Sequence, residues 1–115
     1  YTHTMDEIKS LSDVFKLLGE PNRLRILLSL GLECRPVSAV IAATGLSQTN
    51  VSFHLRTLRE AGLVRGEPNG PFVFYCLSDP RLLTLIDDVR EWTATRNVDA
   101  PNAEVVARTR RSQSG

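Results

Sequence analysis

Between Ser47 and Arg59 the chain reads Ser-Gln-Thr-Asn-Val-Ser-Phe-His-Leu-Arg-Thr-Leu-Arg, and the polar groups there are hydrogen-bonding ones rather than paired acids or an activated nucleophile. Asn and Gln can donate and accept together along an adenine edge, Ser and Thr reach bases or phosphates, and Arg matches guanine or phosphate. Val51, Leu55 and Leu58 recur at helical spacing, which predicts an amphipathic helix with Gln48, Thr49, Asn50, Ser52, His54, Arg56 and Arg59 on its other side. An ordinary solvated helix face is rich in Glu and Lys. Here no acid occurs before Glu60, and a carboxylate on this face would repel a phosphate backbone. Ser47 also suits a helix N-cap, but capping leaves Asn50, Ser52, His54 and Arg56 without a reason. Together these side chains describe a surface for duplex DNA.

The flanking segments must position that helix. Ile8, Leu11, Val14, Phe15, Leu17 and Leu18 predict a helix over Asp6 to Leu18, stopped at Gly19. Pro21 then sits in a permissible first turn, followed by Leu24, Ile26, Leu27, Leu28 and Leu30, so a second and largely buried helix ends at Gly31. Arg35-Pro36-Val37 is long enough only for one extended pairing segment, and Ser38 to Thr44 forms a short helix closed by Gly45. A short helix, the turn Gly45-Leu46-Ser47 and a polar second helix make a helix-turn-helix. The period then changes. Leu63 to Glu67 is extended, Pro68-Asn-Gly-Pro71 is turn chemistry, and Phe72 to Leu77 is rich in aromatic and β-branched residues, which gives a hairpin or wing. Arg65 at its root and Asn69 at its tip join the expected DNA contacts. Asp79-Pro80 starts a last amphipathic helix carrying Leu82, Leu83, Leu85, Ile86, Val89 and Trp92.

At 115 residues the chain supports one domain, assigned to 1–96, with 97–115 expected to be a disordered basic tail containing Arg108, Arg110 and Arg111. The net charge of +1 is too small to argue for DNA by itself; the local excess of Arg56, Arg59 and Arg65 carries that argument. There is no apolar run of about 18 residues and no signal peptide, so no membrane partner and a cytoplasmic location are expected. The chain opens on Tyr1 rather than Met, which fits either a start lacking a few native residues or a processed one. No Ser-His-Asp set, phosphate-cradling Gly loop or catalytic metal motif is present, and an enzyme is not expected.

With these elements placed, the chain resembles the ArsR/SmtB family of winged helix-turn-helix repressors. The resemblance rests on Phe15-Lys-Leu-Leu-Gly-Glu-Pro-Asn-Arg-Leu-Arg-Ile-Leu-Leu28, on Leu46 to Val64 and on Phe74-Tyr-Cys-Leu77, and spans roughly Asp6 to Trp92. It implies a mainly α fold with a small β-hairpin wing, and a homodimer formed by the first and last helices. It also implies binding to an imperfectly palindromic operator, with reading helices about 34 Å apart, and release by a metal, metalloid or thiol-reactive effector. The alternative is a winged-helix protein-interaction module that binds no DNA.

The family's sensing sites match poorly. A Cys-x-Cys pair before the reading helix would bind soft metals, but this region reads Cys34-Arg-Pro-Val-Ser-Ala; the Asp and His pattern of the last helix meets Asp79-Pro-Arg81 and a helix without histidine. Asp87, Asp88 and Glu91 read as a solvated or Arg-paired face. No cofactor or metal can therefore be named. Cys34 and Cys76 remain as a candidate thiol sensor. In a winged helix the short strand before the third helix pairs with the second wing strand, which would bring them within disulfide reach; the plainer reading is two inert thiols, one in a loop and one in a strand.

Overall fold

Local capping signals set the helix starts. In the computed structural model, which describes residues 3–99, α1 (Met5–Leu18) begins with a capping box: the Glu7 N–H donates to the Thr4 hydroxyl at 3.1 Å and the Thr4 N–H to the Glu7 carboxylate at 3.0 Å. α2 (Pro21–Leu30) follows at once, capped by the Glu20 carboxylate, which accepts from the Arg23 N–H at 3.0 Å. The Arg23 side chain turns back and its Nε donates to the Leu17 carbonyl at 2.9 Å, fixing the corner between α1 and α2. α1 has no fully buried residue; Val14, Leu17 and Leu18 are half-buried, whereas Ile8, Leu11 and Phe15 face outward.

The core lies between α2, α3 (Val37–Thr44) and α4 (Gln48–Glu60), with the root of the wing closing one side. Ile26, Leu27 and Leu30 of α2, Val40 of α3 and Val51 and Leu58 of α4 are completely inaccessible, and Leu55 nearly so. Burying each such side chain stabilises by about 1.5–3 kcal/mol. A three-stranded antiparallel sheet joins this body in the order β1 (Arg35–Pro36), β3 (Phe72–Leu77), β2 (Val64–Asn69). Val64 is paired with Leu77 at the root of the hairpin and both are buried, while the strands beyond them reach into solvent.

Three boundaries differ from the sequence reading. α3 starts at Val37, since Pro36 still has extended backbone and serves as its N-cap. β2 runs through Pro68 and Asn69, leaving Gly70-Pro71 as the hairpin turn, with Gly70 at φ 61°, a region that suits glycine. α5 (Arg81–Asp99) continues past Asn97, so intrinsic helix formation outlasts the apolar repeat. The other tail residues lie outside the described residues.

The cysteines also depart from the plainer expectation of free thiols. β1 and β3 pair Arg35 with Tyr75 and Pro36 with Phe74, and carrying that register one residue further places Cys34 opposite Cys76. The two form a disulfide with Cα atoms 4.3 Å apart, linking residues 42 positions apart in sequence; Cys34 is exposed and Cys76 buried.

Residues 84–99 belong to a second compact unit. Within it Arg90 pairs with Asp87 at 2.7 Å, the Arg96 guanidinium lies 5.0 Å from the centre of the Trp92 ring, and Leu85, Val89 and Trp92 are exposed. Among the described residues no helix is long and apolar enough to cross a membrane.

Closing so long a loop restricts the unfolded chain, so reduction with dithiothreitol should lower unfolding stability by about 2–4 kcal/mol in urea titrations. The Cys34→Ser, Cys76→Ser double variant should match the reduced protein and be indifferent to reductant. Equal midpoints for oxidised and reduced wild type would remove the bond from the stability of the fold.

Candidate nucleic-acid interface

The orientation of α4 is set at its start. Gly45 closes α3 in the left-handed region, with φ 75°, and its N–H donates to the Ile41 carbonyl at 2.8 Å. Next to it, the Thr44 hydroxyl donates to the Val40 carbonyl at 2.7 Å and accepts from the Leu46 N–H at 3.3 Å. The Arg25 guanidinium of α2 donates to the Thr44 carbonyl, tying the turn to the core. α4 then opens with Ser47, whose hydroxyl accepts from the Asn50 N–H at 3.1 Å.

With Val51, Leu55 and Leu58 turned inward, the opposite face presents Gln48, Thr49 and Arg56 to solvent, with Ser52 half-buried and Asn50 exposed on the flank. Gln48, Thr49, Ser52, Phe53 and Arg56 line one shallow concavity of about 400 Å³. Phe53 was not among the contact residues read from the sequence. It falls off the Val51, Leu55, Leu58 stripe, and that displacement was the available signal. The first turn of α4 contains no acid, whereas that of α1 contains Asp6 and Glu7. Among the described residues Arg56 and Arg59 make no ion pair, unlike Arg65, Arg81 and Arg90.

Four expected contacts lie elsewhere than on the outward face of α4. Ser47 is exposed, but its hydroxyl is engaged as the cap. His54 is 9% exposed and turned inward, because each residue advances about 100° around a helix and position 54 falls beside the Val51 and Leu58 side. Its inward packing against α2 corrects the expectation of a DNA contact. Its Nε2 lies 3.6 Å from the Glu20 carboxylate, and its Nδ1 has no hydrogen-bond partner among the described residues. Arg65 is exposed at the wing root, where it donates to Glu67 at 2.7 Å and to the Leu77 carbonyl at 3.0 Å. Asn69 stands exposed beside the Gly70-Pro71 turn. Among the described residues no group of three or more His, Cys, Asp or Glu side chains converges to hold a metal ion.

Glu20 joins two duties, capping α2 and facing His54 on α4. Partial burial acts to raise its carboxyl, but the N–H groups of Asn22 and Arg23 and the positive charge of His54 and Arg23 together hold it below the usual range.

Residues 18–67 match the model of a helix-turn-helix domain family. The chain is 31% identical over 88 residues to the transcriptional repressor SmtB homolog of Synechocystis sp., covering 76% of this chain and 67% of that protein. It is 34% identical to the HTH-type transcriptional regulator CmtR of Mycobacterium bovis, over 80% of this chain and 78% of that one. Among solved structures it is similar to the homodimeric winged helix-turn-helix DNA-binding domain of a possible ArsR-family transcriptional regulator from Mycobacterium bovis, with a TM-score of 0.70 and 29% identity over 79% of this chain and 87% of that one.

Because the Glu20 carboxyl is depressed in the folded protein, its contribution to stability is present above the ordinary carboxylate range, near pH 4.3, and is lost as pH falls through its lower folded value. Glu20→Ala should therefore lower the thermal midpoint by a few degrees at pH 7, with the difference from wild type closing in acid. A difference that persisted unchanged well below that range would show that the carboxylate charge is not what links α2 to His54.

Proposed function

The chain belongs to the ArsR/SmtB family of winged helix-turn-helix transcriptional regulators, and we propose that it is a cytoplasmic homodimeric repressor that holds an operator duplex with the outward face of α4. The observation that carries this reading is the composition of that face: Gln48, Thr49, Asn50, Ser52 and Arg56 without a carboxylate before Glu60. Gln48 and Asn50 suit adenine edges, and Arg56 suits guanine or phosphate. Ser47 contributes by capping the helix and so fixing where it starts. Arg59 adds charge further along, while Arg65 and Asn69 bring the wing to the adjacent backbone. The exposed apolar side chains of α1 (Ile8, Leu11, Phe15) and of α5 (Leu85, Val89, Trp92) each supply surface for an isologous dimer contact.

The effector acts, in this reading, on the Cys34–Cys76 bond. A disulfide in the cytoplasm is an unusual and reactive feature, and the exposure of Cys34 opens it to an incoming thiolate. Attack by a dithiol passes two electrons to the bond, leaves Cys34 and Cys76 as thiols and oxidises the reagent to its own disulfide. The bond ties the residue just before β1 to β3, opposite Arg65, which pairs with Cys76 in the wing. Breaking it frees the wing root that DNA binding requires in one position.

The test begins with a duplex enriched from a random library by the full chain. Replacing Gln48, Asn50 and Arg56 together with alanine should weaken binding to it by at least about 100-fold and flatten the dependence on salt, with the dimer and its circular dichroism unchanged. Unchanged specific binding would exclude the α4 face. A chain that enriches no duplex but captures a protein on α1 or α5 would instead be an interaction module.

Oxidised wild type should bind that duplex several-fold more tightly than the dithiothreitol-reduced protein, and the Cys34→Ser, Cys76→Ser variant should bind like the reduced form in both conditions. Identical affinities for oxidised and reduced wild type would remove the cysteines from the regulatory mechanism.

A further inference from the structure

Phe53 is the one large apolar side chain in the concavity on α4, between hydrogen-bonding residues on every side. It is 56% exposed, although Val51, Leu55 and Leu58 on the same helix are essentially inaccessible. The ring is not drawn into the core: its contact with the buried His54 is edge-on, with centroids 5.3 Å apart and planes inclined by 68°. Single exposed aromatics are common on protein surfaces, so exposure alone means little. Its position means more. Thr49, Phe53 and Arg56 lie three and four residues apart on one strip, opposite the buried stripe.

A major groove offers that strip donors, acceptors and one apolar group, the C5-methyl of thymine. A phenyl ring pressed against a donor or acceptor edge would strip water from a polar atom without replacing the hydrogen bond. Resting on the proposed operator binding, we infer that Phe53 is a specificity-determining residue that reads a thymine methyl at one position in each half-site. Gln48, Thr49, Ser52 and Arg56 around it supply the hydrogen bonds to neighbouring edges and phosphates. The contact selects an A·T pair in one orientation, since only one strand carries the methyl at that place in the groove.

The duplex enriched by the full chain provides the probe. Each thymine is replaced in turn by deoxyuridine, which removes the methyl group and leaves the base-pairing edges unaltered. Wild type should lose about three- to fivefold in affinity at one equivalent position per half-site, the amount expected for one methyl group returned to water. Phe53→Ala should bind thymine and deoxyuridine duplexes alike at that position, with an affinity near that of wild type on the deoxyuridine duplex. Phe53→Leu should recover part of the preference.

Because the ring is exposed, Phe53→Ala should keep the thermal midpoint of wild type. The wild-type deoxyuridine series decides the matter even if the variant proves unstable. A duplex bound tightly by wild type with no methyl-sensitive position would overturn the role of Phe53 while leaving operator binding intact. Discrimination retained by a folded Phe53→Ala would overturn it equally. If no duplex is enriched at all, the operator reading fails first and takes this inference with it.

Discussion

The rotation of α4 about its own axis governs the rest of the arrangement. Val51, Leu55 and Leu58 lock into Ile26, Leu27 and Leu30 of α2 and Val40 of α3, all at or near zero exposure. A slip of one residue would turn the helix by about 100° and carry Arg56 or Phe53 toward the core. Interiors are close-packed and resist such intermediate rotations. The polar face therefore inherits its direction from apolar side chains on the opposite side. The Arg25 bond to the Thr44 carbonyl and the left-handed Gly45 reinforce this by fixing where α4 begins.

Charge is distributed by the same logic. Arg23 and Arg25 are turned onto the backbone carbonyls of Leu17 and Thr44, and Arg65 is shared between Glu67 and the Leu77 carbonyl. Arg56 and Arg59 have no such commitments among the described residues. A net charge of +1 consequently understates what a phosphate would meet along α4. The Glu20 carboxylate lies 3.6 Å from the His54 ring, on the inner side of that helix.

Much of this was legible in the chain because helix starts and apolar periods are local signals. Glu20-Pro21 and Ser47 announce α2 and α4, and the turn residues Pro68 to Pro71 followed by the aromatic and β-branched run from Phe72 announce the wing. His54 shows the ambiguity of a polar residue on the edge of an apolar stripe: its type suits either face, its phase beside Val51 and Leu58 turns it inward, and Glu20 stands opposite it there. Phe53 lies about half a turn away in phase from Val51, Leu55 and Leu58, and that phase is the sequence signal of its outward position. The cysteines depended on a strand pair 42 residues apart in sequence, a contact that no local pattern encodes. Likewise, the end of α5 was misjudged because a helix needs no apolar repeat to continue.

The absence of an acid from the first turn of α4 sets folding stability and use against one another. A carboxylate there would complement the helix dipole and add about 0.3–1 kcal/mol, as Asp6 and Glu7 are placed to do in α1. In α4 the same group would stand on the face we propose for the operator. On that proposal, attempts to make the protein more heat-resistant by the usual helix-start substitutions would succeed in a melting curve and damage the proposed binding surface. Positions 48–50 are a place where the best residue for the isolated chain and the best residue for the complex differ, and melting temperature alone would rank variants there in the wrong order.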